Sequence, residues 1–236
     1  MSATNREPHV SIGEESELAT GQCDTLIAIP HSGLAVNLEW SVNFASLWKH
    51  APPNTKLLLM PEPQIDVARN KAVAVALQIG ARHILFLDSD VHPPMDVIAK
   101  LRKHDLAIVS ALYARRQRLS RNQMLRRQGS NLIPIEEGTY LPGSLVECDA
   151  IGLGCVLIET DVMRKIGAPW FQWTESYLMG GVSEDFAFSE KVKEAGFKIF
   201  VDTSIVCRHS GLIKWLPTAR GENNFEYSMT TGLFSD

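Results

Sequence analysis

Through the first half of the chain, apolar runs of four or five residues alternate with longer stretches whose apolar residues recur three and four positions apart. Short runs that are apolar on both faces predict buried strands, and the wider spacing predicts helices. The first strand runs from Thr25 to Ile29 and stops at Pro30, and His31 to Gly33 is a loop. Leu38 to Trp48 has helical spacing and ends before Pro52 and Pro53. Lys56 to Met60 is a second strand, stopped by Pro61 and Pro63. Asp66 to Gly80 reads as a helix with Asp66 as N-cap and Gly80 at the exit. Ile84 to Leu87 is a third strand, Asp96 to Lys103 a short helix, and Leu106 to Leu112 a fourth strand. Strands alternating with helices predict an α/β fold: a Rossmann-like, mostly parallel sheet flanked by helices in a single domain.

The pattern lapses from Ala114 to Gly143, an irregular, Arg-rich insertion of the kind that is usually functional or mobile. Order returns at Val146 to Glu159, a strand pair or one strand bent around Gly152-Leu153-Gly154. Thr160 caps a short helix that reaches Ile166 and closes at Gly167. Ser183 to Ala195 is another helix, with Gly196 just past its end. Short strands follow at Lys198 to Val201 and Ile205 to Cys207. Residues 1–22 read as a loose tail, 23–211 as the domain, and 212–236 as a C-terminal tail without periodicity.

Bulk properties narrow the function. A net charge of −4 argues against broad nucleic-acid binding, although Arg115, Arg116, Arg118, Arg121, Arg126 and Arg127 form a local basic segment. No stretch approaches the roughly 20 apolar residues of a membrane span, and the first residues lack a signal-peptide core. The cysteines Cys23, Cys148, Cys155 and Cys207 show no CxxC spacing. Free thiols in a reducing, cytoplasmic setting are expected rather than a zinc site.

The chemistry begins at the end of the third strand, where Asp88 and Asp90 flank Ser89. Two carboxylates at the carboxyl end of a parallel strand sit where open α/β sheets bind ligands. Their mutual repulsion calls for a cation, and Mg²⁺ or Mn²⁺ held to a phosphate would supply it. The bland alternative is a turn, since Asp and Ser favour turns and His92-Pro93-Pro94 breaks the strand. Two further acids, Glu184 and Asp185, start a helix after Ser183 and follow a flexible Gly180-Gly181. The macrodipole alone explains one of them, and the other is a candidate general base. His209, just after the last strand, is either a surface histidine or a third metal ligand. Trp170, Phe171 and Trp173 are either packing or a platform for a sugar ring.

Taken in order, these pieces resemble the GT-A-fold glycosyltransferases, in particular the family-2-like branch. The matching segments are IAIP (27–30), ARN (68–70), FLDSDV (86–91), AIGLGCVLIETDVM (150–163), SEDFAF (183–188) and CRHSG (207–211). The resemblance implies a nucleoside-diphosphate sugar donor, a hydroxyl acceptor on a glycan, protein or small molecule, and Mn²⁺ or Mg²⁺ as cofactor. It implies that Pro30 lies at the nucleotide-facing end of the first strand, and that Arg69 and Asn70 lie near the diphosphate or ribose. Asp88 and Ser89 would face the nucleotide, and Asp88, Asp90 and His209 would hold the metal. Gly152 and Gly154 would lie beneath the donor sugar. Asp185 would be the base of an inverting hexosyltransferase, with Glu184 orienting the acceptor or supporting the helix start.

Two other readings stay open. LDSDV also fits the motif of a haloacid-dehalogenase-like phosphatase with Asp88 as nucleophile, although that motif normally lies on the first strand. A non-catalytic nucleotide-sugar-binding module is the other.

Overall fold

The elements follow the chain in the order β1 (His9–Ile12), β2 (Thr25–His31), α1 (Leu38–Lys49), β3 (Thr55–Pro61), α2 (Ile65–Gln78), β4 (His83–Leu87), β5 (Val91–His92), α3 (Val97–Arg102) and β6 (Ile108–Leu112). Then come β7 (Met124–Gln128), β8 (Asn131–Pro134), β9 (Leu145–Cys148), β10 (Ala150–Ile151), β11 (Cys155–Glu159), α4 (Thr160–Ile166), α5 (Glu184–Glu194), β12 (Ile199–Val206), β13 (Arg208–His209), β14 (Ile213–Arg220) and β15 (Asn224–Thr231). This computed structural model describes residues 9–12, 22–32, 36–114, 122–173, 183–210, 213–220 and 224–231.

The central sheet has the order β1-β3-β2-β4-β11-β6-β12-β9. Its first four strands are mutually parallel, and β12 is parallel to β6. β11 is antiparallel to both its neighbours, and β9 is antiparallel to β12. The expected class, a mostly parallel α/β sheet flanked by helices, is the one found. Strand side chains alternate between two apolar layers, as the twofold period of a strand requires. Ala28, Ile84, Phe86 and Val156 face one layer with Ala72, Val73, Val162 and Phe188 of α2, α4 and α5. Ile27, Leu85, Leu87 and Leu157 face the other with Trp40, Leu47, Ile98 and Leu101 of α1 and α3. Each buried Val, Leu, Ile or Phe among them contributes roughly 1.5–3 kcal/mol by leaving water.

Several local expectations change. β2 runs on through Pro30 to His31 instead of stopping at Ile29. Its last pair with β4 is Ala28 with Phe86, so at Pro30 only β3 flanks the strand and the missing N–H is tolerated. The cap of α2 is Gln64, not Asp66, and Asp66 falls in the first turn. The bent segment 146–159 divides into β9, β10 and β11. β12 is one strand with an irregularity between Asp202 and Val206. The insertion holds an antiparallel pair, β7 with β8, that joins β10 in a small second sheet. The region after Gly211, read as lacking periodicity, contains the antiparallel pair β14 and β15. The N-terminal tail contains β1, which pairs with β3. Among the described residues no helix is long and apolar enough to cross a membrane.

Candidate active site

β4 delivers Asp88 to the carboxyl end of the parallel strands, beside the end of β2 that carries the buried Pro30. The Asp88 N–H donates to Gly154 O at 2.9 Å, and the Val91 N–H closes a turn on Asp88 O at 3.1 Å. The turn expected as the alternative is present, and it runs through Ser89 between the two carboxylates. The Trp40 indole N–H donates to Asp88 O at 3.2 Å and Val91 O at 2.9 Å, tying α1 to this turn.

α2 brings Arg69 to the same point, only 2% exposed. Its Nη1 donates to Glu184 Oε1 at 2.6 Å and Asp185 Oδ1 at 2.7 Å, and its Nη2 to Asp88 Oδ1 at 3.1 Å. One guanidinium thus joins the two acidic motifs. Beneath it the Phe86 ring lies 5.9 Å from Cζ. Burial alone would lower the Arg69 pKa, but Asp185, Asp88 and Glu184 outweigh it and hold the group firmly charged.

The carboxyls respond to the same enclosure. Loss of water pushes Glu184 up to about 8, and the charge of Asp185 adds to this against the pull of Arg69. Asp88 is also raised by loss of water; Arg69 opposes the shift, while Asp90 and Asp185 add to it. Glu184 is buried, whereas the Asp185 side chain keeps 22% of its surface open. Both acids start α5, whose N-cap Ser183 makes no side-chain cap bond.

His209 reaches the site through strand register. β13 pairs antiparallel with β5, placing His209 opposite Val91, and the Ser210 N–H donates to Asp90 O at 2.7 Å. The His209 Nδ1 lies 2.7 Å from Ala114 O. A carbonyl only accepts, so Nδ1 carries a proton. The other nitrogen, Nε2, faces Asp90 Oδ1 at 3.3 Å. Nε2 and the Asp90 carboxylate thus face each other, and both are of the donor types that a divalent cation accepts. Metal-bound histidines commonly donate their second ring N–H to a backbone carbonyl in this way. Among the described residues, however, no three His, Cys, Asp or Glu side chains converge as a ready-made metal cluster. The donors fit in kind: carboxylates from Asp88 and Asp90 and an imidazole from His209, with the remaining positions of a hard ion left for phosphate and water.

Other expected residues make contacts within the protein. The Asn70 side chain accepts from the Trp170 and Phe171 N–H groups at 2.8 and 3.2 Å and donates to Phe171 O at 2.7 Å. Phe171 is fully buried and stacks on Phe188, and the Trp170 indole N–H donates to Met163 O. Those two aromatics are packing, and of the three only Trp173 is open, at 41%. A Cβ at Gly152 would collide with the Tyr113 hydroxyl, and one at Gly154 would lie 3.0 Å from that hydroxyl and from Val91. Gly180-Gly181 and the arginines from Arg115 to Arg121 lie outside the described residues.

Tyr113 and Trp40 also contact the candidate site, at Gly154 and at the Asp88 turn, and neither carried a signal in the sequence. Tyr113 follows β6, is 5% exposed, and accepts the Gly154 N–H at 2.8 Å. Burial, then the charges of Asp185 and Asp88, push its phenol well above its ordinary pKa.

Neither a protein-family profile nor a curated protein matches the chain. Among solved structures, A197 from STIV superposes with a TM-score of 0.61 at 18% identity, over 90% of this chain and 97% of that one. GalNAc-T7, solved with UDP, GalNAc and Mn²⁺, gives a TM-score of 0.46 at 14% identity, over 88% of this chain and 44% of that one. The first likeness is one of fold, and the second is weaker still.

Proposed function

We propose that this chain is a metal-dependent glycosyltransferase of the GT-A kind, moving a hexose from a nucleoside-diphosphate sugar to a hydroxyl acceptor with inversion. The observation that carries the reading is Arg69, buried and bonded to Asp88, Glu184 and Asp185 together. A buried cation among several carboxylates is a poor way to stabilise a fold, because desolvation offsets most of the attraction. Such clusters of perturbed groups concentrate at functional sites. Here the cluster lies at the carboxyl end of the parallel strands, the usual ligand position in open α/β sheets. It contains the acidic motifs whose order along the chain resembles the glycosyltransferase family.

Asp185 is the base because its side chain keeps open surface where Glu184 does not. In the transfer, the acceptor oxygen bonds to the anomeric carbon as the bond from that carbon to the diphosphate breaks. The acceptor proton passes to Asp185. Arg69 holds Asp185 in place, and Glu184, whose enclosure favours its protonated form, can in that form donate a hydrogen bond beside it. Asp88, Asp90 and His209 would hold Mn²⁺ or Mg²⁺, which when bound offsets the charge growing on the leaving diphosphate.

A screen of nucleotide sugars with Mn²⁺, scored for release of nucleoside diphosphate, tests the reading. Metal-dependent release from one donor is expected. Turnover of simple phosphate esters with an aspartyl-phosphate trapped on Asp88 would instead establish the phosphatase.

A further inference from the structure

We propose that Tyr113 is a positioning residue that couples His209 to the Gly152–Gly154 loop, so that the metal-facing and sugar-facing sides of the site are set as one unit. The inference rests on the glycosyltransferase reading, which assigns no role to Tyr113.

Three contacts carry it. The Tyr113 ring meets the His209 ring edge-on, with centroids 5.6 Å apart and planes at 78°. The next residue, Ala114, supplies the carbonyl that fixes the His209 tautomer. Both rotations of the imidazole are thereby limited by one dipeptide, and Nε2 stays directed at Asp90. On the other side, the Tyr113 hydroxyl accepts the Gly154 N–H at 2.8 Å. The loop lies so close over the ring that a side chain at Gly152 would strike the hydroxyl. Gly152 is thus explained by the approach of Tyr113, and Gly154 by Tyr113 and Val91 together. The loop is also fixed from below, because Gly154 O accepts the Asp88 N–H and Gly152 N–H donates to Gln123 O. A shift of Tyr113 would move His209, the glycine loop and Asp88 together.

The test separates ring from hydroxyl. Tyr113→Leu removes the ring that His209 packs against, and Tyr113→Phe removes only the hydroxyl. Mn²⁺ alone is titrated into the full-length protein by calorimetry. Tyr113→Leu should weaken Mn²⁺ binding about 10- to 100-fold, the usual effect of losing a group that orients a metal ligand. Tyr113→Phe should leave Mn²⁺ binding within about threefold and raise KM for the nucleotide sugar instead. Mn²⁺ binding that is absent in the parent protein, both alone and with UDP or GDP present, would defeat the glycosyltransferase reading. Binding that is present and equal in Tyr113→Leu would defeat only the inference.

A second pair of variants holds even if Tyr113→Leu fails to fold. Gly152→Ala should lower the melting temperature, and Tyr113→Phe should restore part of the loss by removing the hydroxyl struck, while the ring Cζ at 3.1 Å and Gln123 Cβ at 3.3 Å still press on the new methyl. Gly154→Ala should not be rescued, because Val91 Cγ2 crowds its Cβ at 3.0 Å independently of the hydroxyl. Failure of Tyr113→Phe to relieve Gly152→Ala would overturn the proposed contact.

Discussion

Arg69 and Asp185 stand 116 residues apart in the chain, and their side chains meet at 2.7 Å in the interior of the site. The contact joins α2 to the first turn of α5, and the same guanidinium reaches on to Asp88 at the end of β4. Three elements that share no local sequence are thus fixed around one positive charge.

Removing that charge should destabilise the protein. Arg69→Met leaves Glu184, Asp185 and Asp88 enclosed without their partner. Breaking a buried ion pair costs roughly 3–5 kcal/mol, and the partial exposure of Asp185 and Asp88 places this one near the lower end. Arg69→Lys should recover only part, since an ammonium cannot fork between carboxylates on two elements. Urea unfolding of the three proteins measures this. A loss of stability below the ordinary range for surface pairs would show that Arg69 does not organise the cluster.

The metal-facing residues should separate by severity. Asp90→Ala is expected to abolish Mn²⁺-dependent nucleotide binding while leaving the fold intact. His209→Ala should raise the Mn²⁺ concentration needed for half-maximal binding about 10- to 100-fold, as loss of one ligand or its orienting partner commonly does. Asp88→Asn should be milder in binding, because Asp88 already shares its charge with Arg69. Equal Mn²⁺ titrations for parent and His209→Ala would return His209 to the role of a strand-end residue.

Stability should fall with rising pH across the range in which Glu184 keeps its extra proton. The folded protein holds that proton where the unfolded chain, with a glutamate at its ordinary value of 4.5, has released it. The contribution is complete below pH 4.5 and is lost as pH rises through about 8. Asp88, also raised, acts in the same direction. Urea midpoints between pH 4.5 and 8 measure the slope, and Glu184→Gln should flatten it. An unchanged slope in Glu184→Gln would place the retained proton elsewhere.

The acidic motifs were legible because each stands at the end of an element that local pattern announces. Asp88 ends an apolar strand, Glu184 and Asp185 start a helix, and His209 follows a strand. What joins them was not legible. Arg69 sits in mid-helix, and nothing near it in the chain indicates that its partners are Asp88 and, more than a hundred residues on, Glu184 and Asp185. Tyr113 looks like one more apolar strand end until the Gly154 N–H, 41 residues away, is placed on its hydroxyl. Pro30 illustrates the converse error. A proline suggests that a strand stops, yet β2 continues past it where only one neighbour flanks the strand. Local chemistry marks element ends, whereas contacts set by sheet order and register become visible only in three dimensions.

Asp185→Asn separates catalysis from donor binding when both are measured side by side in the presence of Mn²⁺. The amide keeps the size of the side chain and can still accept a bond from Arg69, but it cannot take the acceptor proton. Nucleotide-sugar binding should stay near the parent value while turnover falls by ~10²–10⁴-fold, the usual contribution of a general base. Turnover equal to the parent, or donor binding lost in step with activity, would contradict Asp185 as the base of a glycosyl transfer.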